Sequence, residues 1–231
     1  MKRLLPFLII VMVGLVTFGI GAAVYREKMK PAPKPQPATP GATTSTLAAN
    51  STAAEQSEDP KLHVRGPRNA PLTLEIYGDF QCPACGTASR VVDELQKEYQ
   101  GKMQVIFHEY PLEMHRHAKE AAMAAEAAGL QGKFWEMHDA LYQYQDVWSK
   151  ISDVSFFFES YARMIGLDLE QFNEDRKSMK VEDMVIEDGT DGMARGVQNT
   201  PTLFLNGNLL KAFTKDKLKE VIDATLAEKK S

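Results

Sequence analysis

The chain has 231 residues, of which 44% are apolar and 25% are charged, so collagen-like, coiled-coil and wholly disordered proteins are excluded. The net charge of −4 is unevenly distributed, since residues 1–60 carry six Lys or Arg against four Asp or Glu, and residues 61–231 carry 21 against 27. The acidic region of residues 61–231 has no cluster of Lys and Arg that could bind a phosphate backbone, and we therefore expect no nucleic-acid partner.

The N-terminus begins with a long apolar run. Residues 4–24 contain one polar side chain, that of Thr17, and basic residues flank the run on both sides. A run of this length spans a bilayer as a helix, which predicts an uncleaved membrane anchor within residues 1–25. A cleavable signal peptide is the alternative, because residues 21–23 are small. The flanking charges nearly balance, so they do not decide the orientation.

The segment of residues 26–60 has the composition of a linker. It holds six of the chain's twelve prolines, much of the remainder is Ala, Thr and Ser, and no aromatic residue occurs between Tyr25 and Tyr77. Such a segment buries too little apolar area to offset the entropy lost on ordering. Its alternating prolines favour extended geometry, and we predict a flexible spacer followed by a globular domain over residues 61–231.

The globular domain starts with a pattern typical of a strand, a helix and a second strand. Residues 72–77 are strand-like, apolar residues recur at helical spacing after position 85, and residues 103–110 form another strand-like run before Pro111. Gly101 is expected to end the helix. This order predicts a βαβ unit with parallel strands.

A block of helices follows, and the chain then returns to strand. Helical patterns cover residues 118–128, 134–144, 152–165, a stretch from Asp168, and about 181–194. The next runs, residues 202–205 and 209–213, are separated by Asn206-Gly207, a strong hairpin signal. An amphipathic helix begins near Thr214. We therefore predict an α/β fold with a helical insertion.

The two cysteines form the motif Cys82-Pro83-Ala84-Cys85, and the chain has no others. The motif falls where the first strand gives way to the helix. Unpaired N–H groups and the helix dipole stabilise a thiolate there, which lowers the pKa of the first cysteine. We expect Cys82 to be the nucleophile and Cys85, one turn inward, to be the resolving thiol. Pro83 suits the first helical turn.

Less specific interpretations of these residues are a half zinc site or an inert structural disulfide. Structural zinc needs four ligands, no second cysteine pair exists and the five histidines are scattered, so no metal site is expected. His115 and His117 do not share a helix face, and we expect them in a solvated loop. The aromatic run of residues 156–158 is expected in the core.

Four runs of the sequence form a recognisable set in this order: residues 77–85, 109–112, 132–138 and 199–207. Together they resemble the DsbA-like thioredoxin-fold proteins of bacteria, of the membrane-anchored kind. The resemblance covers about residues 62–228, and its most specific parts are the cysteine motif and the Thr200-Pro201-Thr202 segment.

This resemblance implies a thioredoxin fold with a helical insertion at about residues 113–196. It further implies that Pro201 is cis and lies against the active-site disulfide, and that Thr200 offers backbone hydrogen bonds to a bound substrate strand. The redox group would be the Cys82–Cys85 disulfide, without a dissociable cofactor. The domain would lie on the periplasmic or extracellular side of the cytoplasmic membrane, held by one N-terminal span.

The sequence departs from the family pattern at two places. Many relatives carry a buried acid six positions before the first cysteine, where this chain has Ile76. Glu75 is adjacent but alternation turns it to the opposite face, so it would need a one-residue bulge, with Asp79 and water as the other candidates for proton transfer. The central pair, Pro83 and Ala84, also lacks the histidine of strongly oxidising members, which leaves the redox strength open.

The function that we expect is an extracytoplasmic thiol:disulfide oxidoreductase that donates its disulfide to secreted protein thiols. An oxidase would need a quinone-linked membrane partner for reoxidation. A reductase or isomerase of the same fold would instead need electrons from across the membrane. A metal-handling or chaperone-like binding module without turnover is the alternative from another class.

Overall fold

In a computed structural model, which describes residues 62–211 and 214–229, the chain forms a mixed sheet of five strands. Their spatial order is β1-β3-β2-β4-β5. β2 and β3 run parallel, which confirms the predicted βαβ unit, and the other neighbours are antiparallel. The strands are β1 (His63–Arg65), β2 (Leu72–Gly78), β3 (Met103–Glu109), β4 (Thr202–Leu205) and β5 (Asn208–Leu209).

Helices connect the strands and cover the sheet. α1 joins β2 to β3, six helices lie between β3 and β4 in the described chain, and α8 follows β5. The predicted helical insertion is therefore confirmed. The helices are α1 (Pro83–Glu98), α2 (Ala118–Leu130), α3 (Phe134–Gln143), α4 (Gln145–Trp148), α5 (Ser155–Met164), α6 (Leu169–Asp175), α7 (Met179–Ala194) and α8 (Lys215–Glu228).

Strand β2 lies in the middle of the sheet, and its successive side chains point to opposite faces. Leu72, Leu74 and Ile76 point to one face, where they join the main hydrophobic core with residues of α1, α3 and α8. Glu75 and Tyr77 point to the other face, which α7 covers. The two cysteines belong to the first face.

The main core contains large aromatic side chains from the helical insertion. Trp148 and Phe158 are fully buried, and for Phe158 this confirms the expected place in the core. The expectation is wrong for Phe156, which is 74% exposed, because residues two apart on a helix point in nearly opposite directions. Alanines make up much of the buried face of α2, and their small side chains let α3 approach closely.

Some element boundaries differ from the predictions. Gly129 lies inside α2, where a Cβ atom would stand only 3.1 Å from the His63 ring, and the turn is made by Gly132 with a φ of 72°. The strand predicted at residues 209–213 is limited to Asn208–Leu209, and residues 212 and 213 lie outside the described residues. β1 is too short to have been recognised from its pattern.

The predicted anchor and linker, residues 1–25 and 26–60, lie outside the described residues. Among the helices formed by residues 62–211 and 214–229, none combines the length and the apolar character needed to cross a membrane.

Candidate active site

Cys82 occupies the N-cap position of α1. Its backbone is extended, with φ −72° and ψ 119°, Pro83 opens the helix, and no side chain caps the first turn. The first turn also carries no acidic residue, so the positive end of the helix dipole is not offset there. The placement of the motif at a strand-to-helix junction follows the sequence prediction.

The two thiols differ sharply in acidity. The pKa of Cys82 is lowered to about 5 by a hydrogen bond from the Cys85 thiol, which outweighs burial, and by the N–H groups of Cys85 and Ala84 together with Thr200. Burial and the hydrogen bond to Cys82 raise the pKa of Cys85 far above its ordinary value. At neutral pH, Cys82 is therefore a thiolate and Cys85 a thiol, which is the pair that exchange chemistry needs.

The loop before β4 lies against the nucleophile. The Thr200–Pro201 peptide bond is cis, and the Thr200 carbonyl oxygen is 3.5 Å from Cys82 Sγ. Beside Pro201 runs an open groove of about 340 Å³, bounded by Thr202, Leu203 and the end of β5 with the loop that follows it. Of the two residues named from the resemblance, Thr200 contacts Cys82 through its carbonyl oxygen and Pro201 lines the groove.

The position of Ile76 contains no acid, and no bulge brings Glu75 toward the thiols. β2 pairs with β3 in unbroken register from Leu72 to Gly78, so the bulge alternative is wrong. The Glu75 carboxylate instead accepts a 2.6 Å hydrogen bond from Arg195 on the far face. His108 and Arg195, against an opposing effect of burial, lower the pKa of Glu75 to about 2.

Asp79 is buried in the loop between β2 and α1. Its carboxylate accepts hydrogen bonds from the N–H groups of Gln81 at 2.7 Å and Leu112 at 3.0 Å, and it lies 2.6 Å from His115 Nδ1. The group that contacts Cys85 is the Asp79 backbone N–H, 3.5 Å from the sulfur. In this arrangement the Asp79 carboxylate shapes the loop.

A cavity of about 10 Å³ adjoins Cys85 on the inner side. Ile76 and Cys85 line it together with the polar side chains of Ser89, Asp93 and Gln96. Its volume is at the lower limit for one water molecule. Of the candidates for proton transfer named from the sequence, water is the one to which the structure offers a place beside Cys85.

The expectation of a solvated loop for the two neighbouring histidines is wrong. His115 contacts the buried Asp79 carboxylate, and His117 is itself buried, with Nε2 2.9 Å from the Ile151 carbonyl oxygen. Both are held by contacts more than 30 residues away, which spacing in the sequence does not reveal. Among residues 62–211 and 214–229, no cluster of three His, Cys, Asp or Glu side chains is arranged to hold a metal ion.

Two glutamines at the site carry no signal in the sequence. The Gln145 side-chain amide donates hydrogen bonds to the carbonyl oxygens of Phe80 at 2.6 Å and Cys82 at 2.9 Å. Gln81 donates to the Ser149 carbonyl oxygen at 3.0 Å and accepts from the His117 N–H at 2.6 Å. Through them the helical insertion contacts the loop that carries the nucleophile.

Comparison with known protein families decides the classification. A family model described as thioredoxin matches residues 58–224, most of the chain. The chain belongs to the thioredoxin family. Solved structures place this thioredoxin-family protein among the DsbA-like folds. A thioredoxin-like oxidoreductase from Silicibacter pomeroyi superposes with a TM-score of 0.61 at 25% identity, covering 73% of this chain and 94% of that one.

Two further structures have the same fold as this thioredoxin-family protein. BdbD from Bacillus subtilis gives a TM-score of 0.65 at 24% identity, covering 72% of this chain and 94% of its own. Alpha-DsbA1 from Wolbachia pipientis also gives 0.65, at 22% identity, covering 73% and 92%.

Curated relatives of this thioredoxin-family protein match by sequence over part of their length. The Na(+)/H(+) antiporter NhaA 1 of Mycolicibacterium vanbaalenii is 43% identical over 150 residues, which are 63% of this chain and 23% of that protein. The NhaA antiporter of Herminiimonas arsenicoxydans is 34% identical over 158 residues, 68% of this chain and 24% of its own. The chain thus spans about a quarter of the length of these relatives.

Proposed function

We propose that the protein is a thiol:disulfide oxidoreductase that exchanges disulfides with protein substrates through Cys82 and Cys85. The observation that carries the proposal is the unequal acidity of the two thiols, with the pKa of Cys82 near 5 and that of Cys85 raised by burial. Fold similarity and family membership agree with it, but many members of a fold differ in activity, so the site carries the argument.

The exchange proceeds in two displacements. A substrate thiolate attacks Cys82 Sγ of the disulfide form, the Cys82–Cys85 bond breaks, and Cys85 leaves with the electron pair and takes up a proton. A second substrate thiolate then attacks the substrate sulfur of the mixed disulfide and releases Cys82 as a thiolate. Two electrons pass from the substrate to the protein, and the substrate gains one disulfide.

The acidity of Cys82 supports the donor direction. A thiolate that is stable at neutral pH is a good leaving group and stabilises the reduced form of the couple, which makes the disulfide form more oxidising. The helix N-terminus and the Cys85 hydrogen bond supply this stabilisation without the histidine missing from the central pair. The groove beside Pro201 is where we place the substrate segment, with Thr200 offering backbone groups to it.

The proposed setting is outside the cytoplasmic membrane, with secreted or periplasmic proteins as substrates. The apolar run of residues 4–24 and the proline-rich linker support a tethered domain. As a disulfide donor, the protein would be reoxidised by a quinone-linked membrane partner.

The substitution Cys82→Ser tests the proposal. We expect it to reduce catalysis of the oxidative refolding of reduced ribonuclease to the uncatalysed rate, because the attacked sulfur is lost. Ser160→Ala, on an exposed face of α5, is the matched control and should keep the full rate. Full activity in Cys82→Ser would disprove the assignment of the nucleophile.

Equilibration of the wild-type couple with glutathione buffers tests the direction. We expect a reduction potential well above that of the glutathione pool, measured from the fraction of free thiols by mass-tagging. A potential near that of thioredoxin would instead indicate a reductase or isomerase.

A further inference from the structure

We propose that Gln145 is a positioning residue for thiol:disulfide exchange, whose side-chain amide holds the first turn of α1 in the geometry that keeps Cys82 ionised. The proposal rests on the proposed function for its biological meaning, but its test does not. Gln145 lies on α4 in the helical insertion, 63 residues from Cys82 in sequence.

Gln145 contacts the backbone of the loop that carries the nucleophile. Its Nε2 donates to the carbonyl oxygens on both sides of Gln81, those of Phe80 at 2.6 Å and Cys82 at 2.9 Å. The Cys82 carbonyl oxygen also accepts the first two helical hydrogen bonds, from the N–H groups of Cys85 and Gly86 at 3.1 and 3.2 Å. Gln145 therefore holds the peptide that starts the helix.

This peptide matters for the acidity of Cys82. The N–H groups of Ala84 and Cys85 lower the pKa of the Cys82 thiol only while the first turn of α1 directs them at the Cys82 sulfur. The amide N–H dipole of Gln145 also brings partial positive charge to the Cys82 carbonyl, which favours a nearby thiolate. Loss of the amide thus removes an orienting contact and a favourable dipole together.

Gly86 supplies an independent observation. A glycine inside a helix destabilises the helix relative to alanine, so its presence as the fourth residue of α1 needs a reason. A Cβ atom at position 86 would lie 2.6 Å from Gln145 Oε1 and 3.4 Å from Nε2. The missing side chain at position 86 leaves the space that the Gln145 amide occupies.

Two substitutions disturb this contact in different ways. Gln145→Met keeps the length of the side chain and removes the donors, whereas Gly86→Ala keeps the donors and displaces them. The pH profile of Cys82 alkylation by iodoacetamide in the full chain reports the ionised fraction. We expect either variant to lower the thiolate-to-thiol ratio of Cys82 at fixed pH about three- to tenfold, the range of one hydrogen bond.

A double variant and a charged variant sharpen the test. Gly86→Ala in the Gln145→Met background should produce little further change, because both act through one contact. Gln145→Glu should lower the ratio further, since it places a negative charge beside the thiolate. Gln143→Ala, on an exposed position two residues away, should leave the profile unchanged.

The glutathione equilibrium separates positioning from a merely structural role. Since a thiolate stabilises only the reduced form, the equilibrium should shift toward the disulfide by the same three- to tenfold factor, about the effect of one hydrogen bond. An unchanged profile in Gln145→Met, or a full additional effect of Gly86→Ala in that background, would overturn the proposal. The alkylation profile and the glutathione equilibrium can both be measured on a protein that does not turn over substrate. If the proposed function fails, the wild-type protein is inactive in ribonuclease refolding, whereas these two measurements still test the role of Gln145.

Discussion

The two faces of the central sheet serve the site in different ways. The face beneath Cys85 is apolar around Ile76, and it raises the acidity difference between the thiols by burying one of them. The opposite face carries a network of charges in which Glu75 binds Arg195 and approaches His108. Two adjacent residues of β2 therefore face different environments: Ile76 faces the buried thiol and Glu75 faces the ion pairs.

The charged face contacts the segment that leads to Thr200 and Pro201. Arg195 lies at the end of α7, a few residues before Thr200, and it donates hydrogen bonds to Glu75 at 2.6 Å and to the Tyr77 hydroxyl at 2.9 Å. Tyr110 donates to the Val197 carbonyl oxygen at 2.8 Å. The carboxylate next to the expected acid position therefore anchors the loop that leads to Pro201.

A carboxyl group placed on the apolar face would most strongly reduce the difference between the two faces. Ile76→Asp should lower the free energy of unfolding of the reduced protein by about 3 kcal/mol, because it replaces a buried apolar side chain by a carboxyl group in the core. Burial raises the pKa of such a carboxyl, so the loss should grow as pH rises above about 4, the ordinary pKa of aspartate. Urea denaturation at pH 4 and pH 8 measures both effects.

The matched control at this position is Ile76→Val. It should cost about 1 kcal/mol at either pH, since it removes one buried methylene and adds no charge. Equal effects of the two substitutions at pH 8 would show that the face tolerates charge.

A smaller effect is expected from breaking the ion pair on the charged face. Arg195→Ala leaves the Glu75 carboxylate half-buried without its main partner, and we expect it to lower the free energy of unfolding by about 2 kcal/mol. Lys217→Ala removes an exposed pair with Glu220 and should leave the free energy of unfolding nearly unchanged. Indistinguishable urea midpoints for the two variants would argue against an anchoring role for Arg195.

The charged face also has an expected pH dependence. Burial lowers the pKa of His108, but Asp188 at 3.2 Å and Glu75 at 3.8 Å outweigh it and raise the pKa to about 9. Stabilisation by His108 is therefore complete below about pH 6.5, its unfolded pKa, and is lost as pH rises through 9. Glu75 contributes above about pH 4.5, and its contribution disappears as pH falls toward 2.

Urea denaturation between pH 6 and pH 9.5 tests this prediction. The wild type should lose about 3 kcal/mol over this range, the value for a pKa raised from 6.5 to about 9, and His108→Gln should show a flatter profile, because the titrating ring is absent. A slope that is the same in both proteins would assign the pH dependence to other groups.

The parts of the fold and site that sequence patterns predicted are those set by neighbours in the chain. Cys82 and Cys85 share one helical turn, so their place at the start of α1 and the lowered pKa of Cys82 follow from local geometry. The period of two along β2 correctly placed Glu75 away from the thiols. The hairpin signal at Asn206-Gly207 also agrees with the turn between β4 and β5.

The parts that were not predicted depend on tertiary contacts. Gln145 reaches Cys82 from the helical insertion, and nothing in its own neighbourhood indicates that it does. The His115 and His117 side chains were expected in solvent, whereas a buried carboxylate and a distant carbonyl hold them. Local patterns do not contain these distances, because the packing of the insertion sets them.

The deeper burial of Cys85 limits how copies of the protein can be cross-linked. The chain has two cysteines, and Cys82 is the less buried of the two, 7% exposed against 3% for Cys85. A molecule with one reachable sulfur has a valency of one, so oxidation between copies stops at a dimer and does not propagate into a polymer. Cys85 of one copy then attacks Cys82 in the intermolecular disulfide and releases Cys82 of the other copy as a thiolate, so the dimer dissociates.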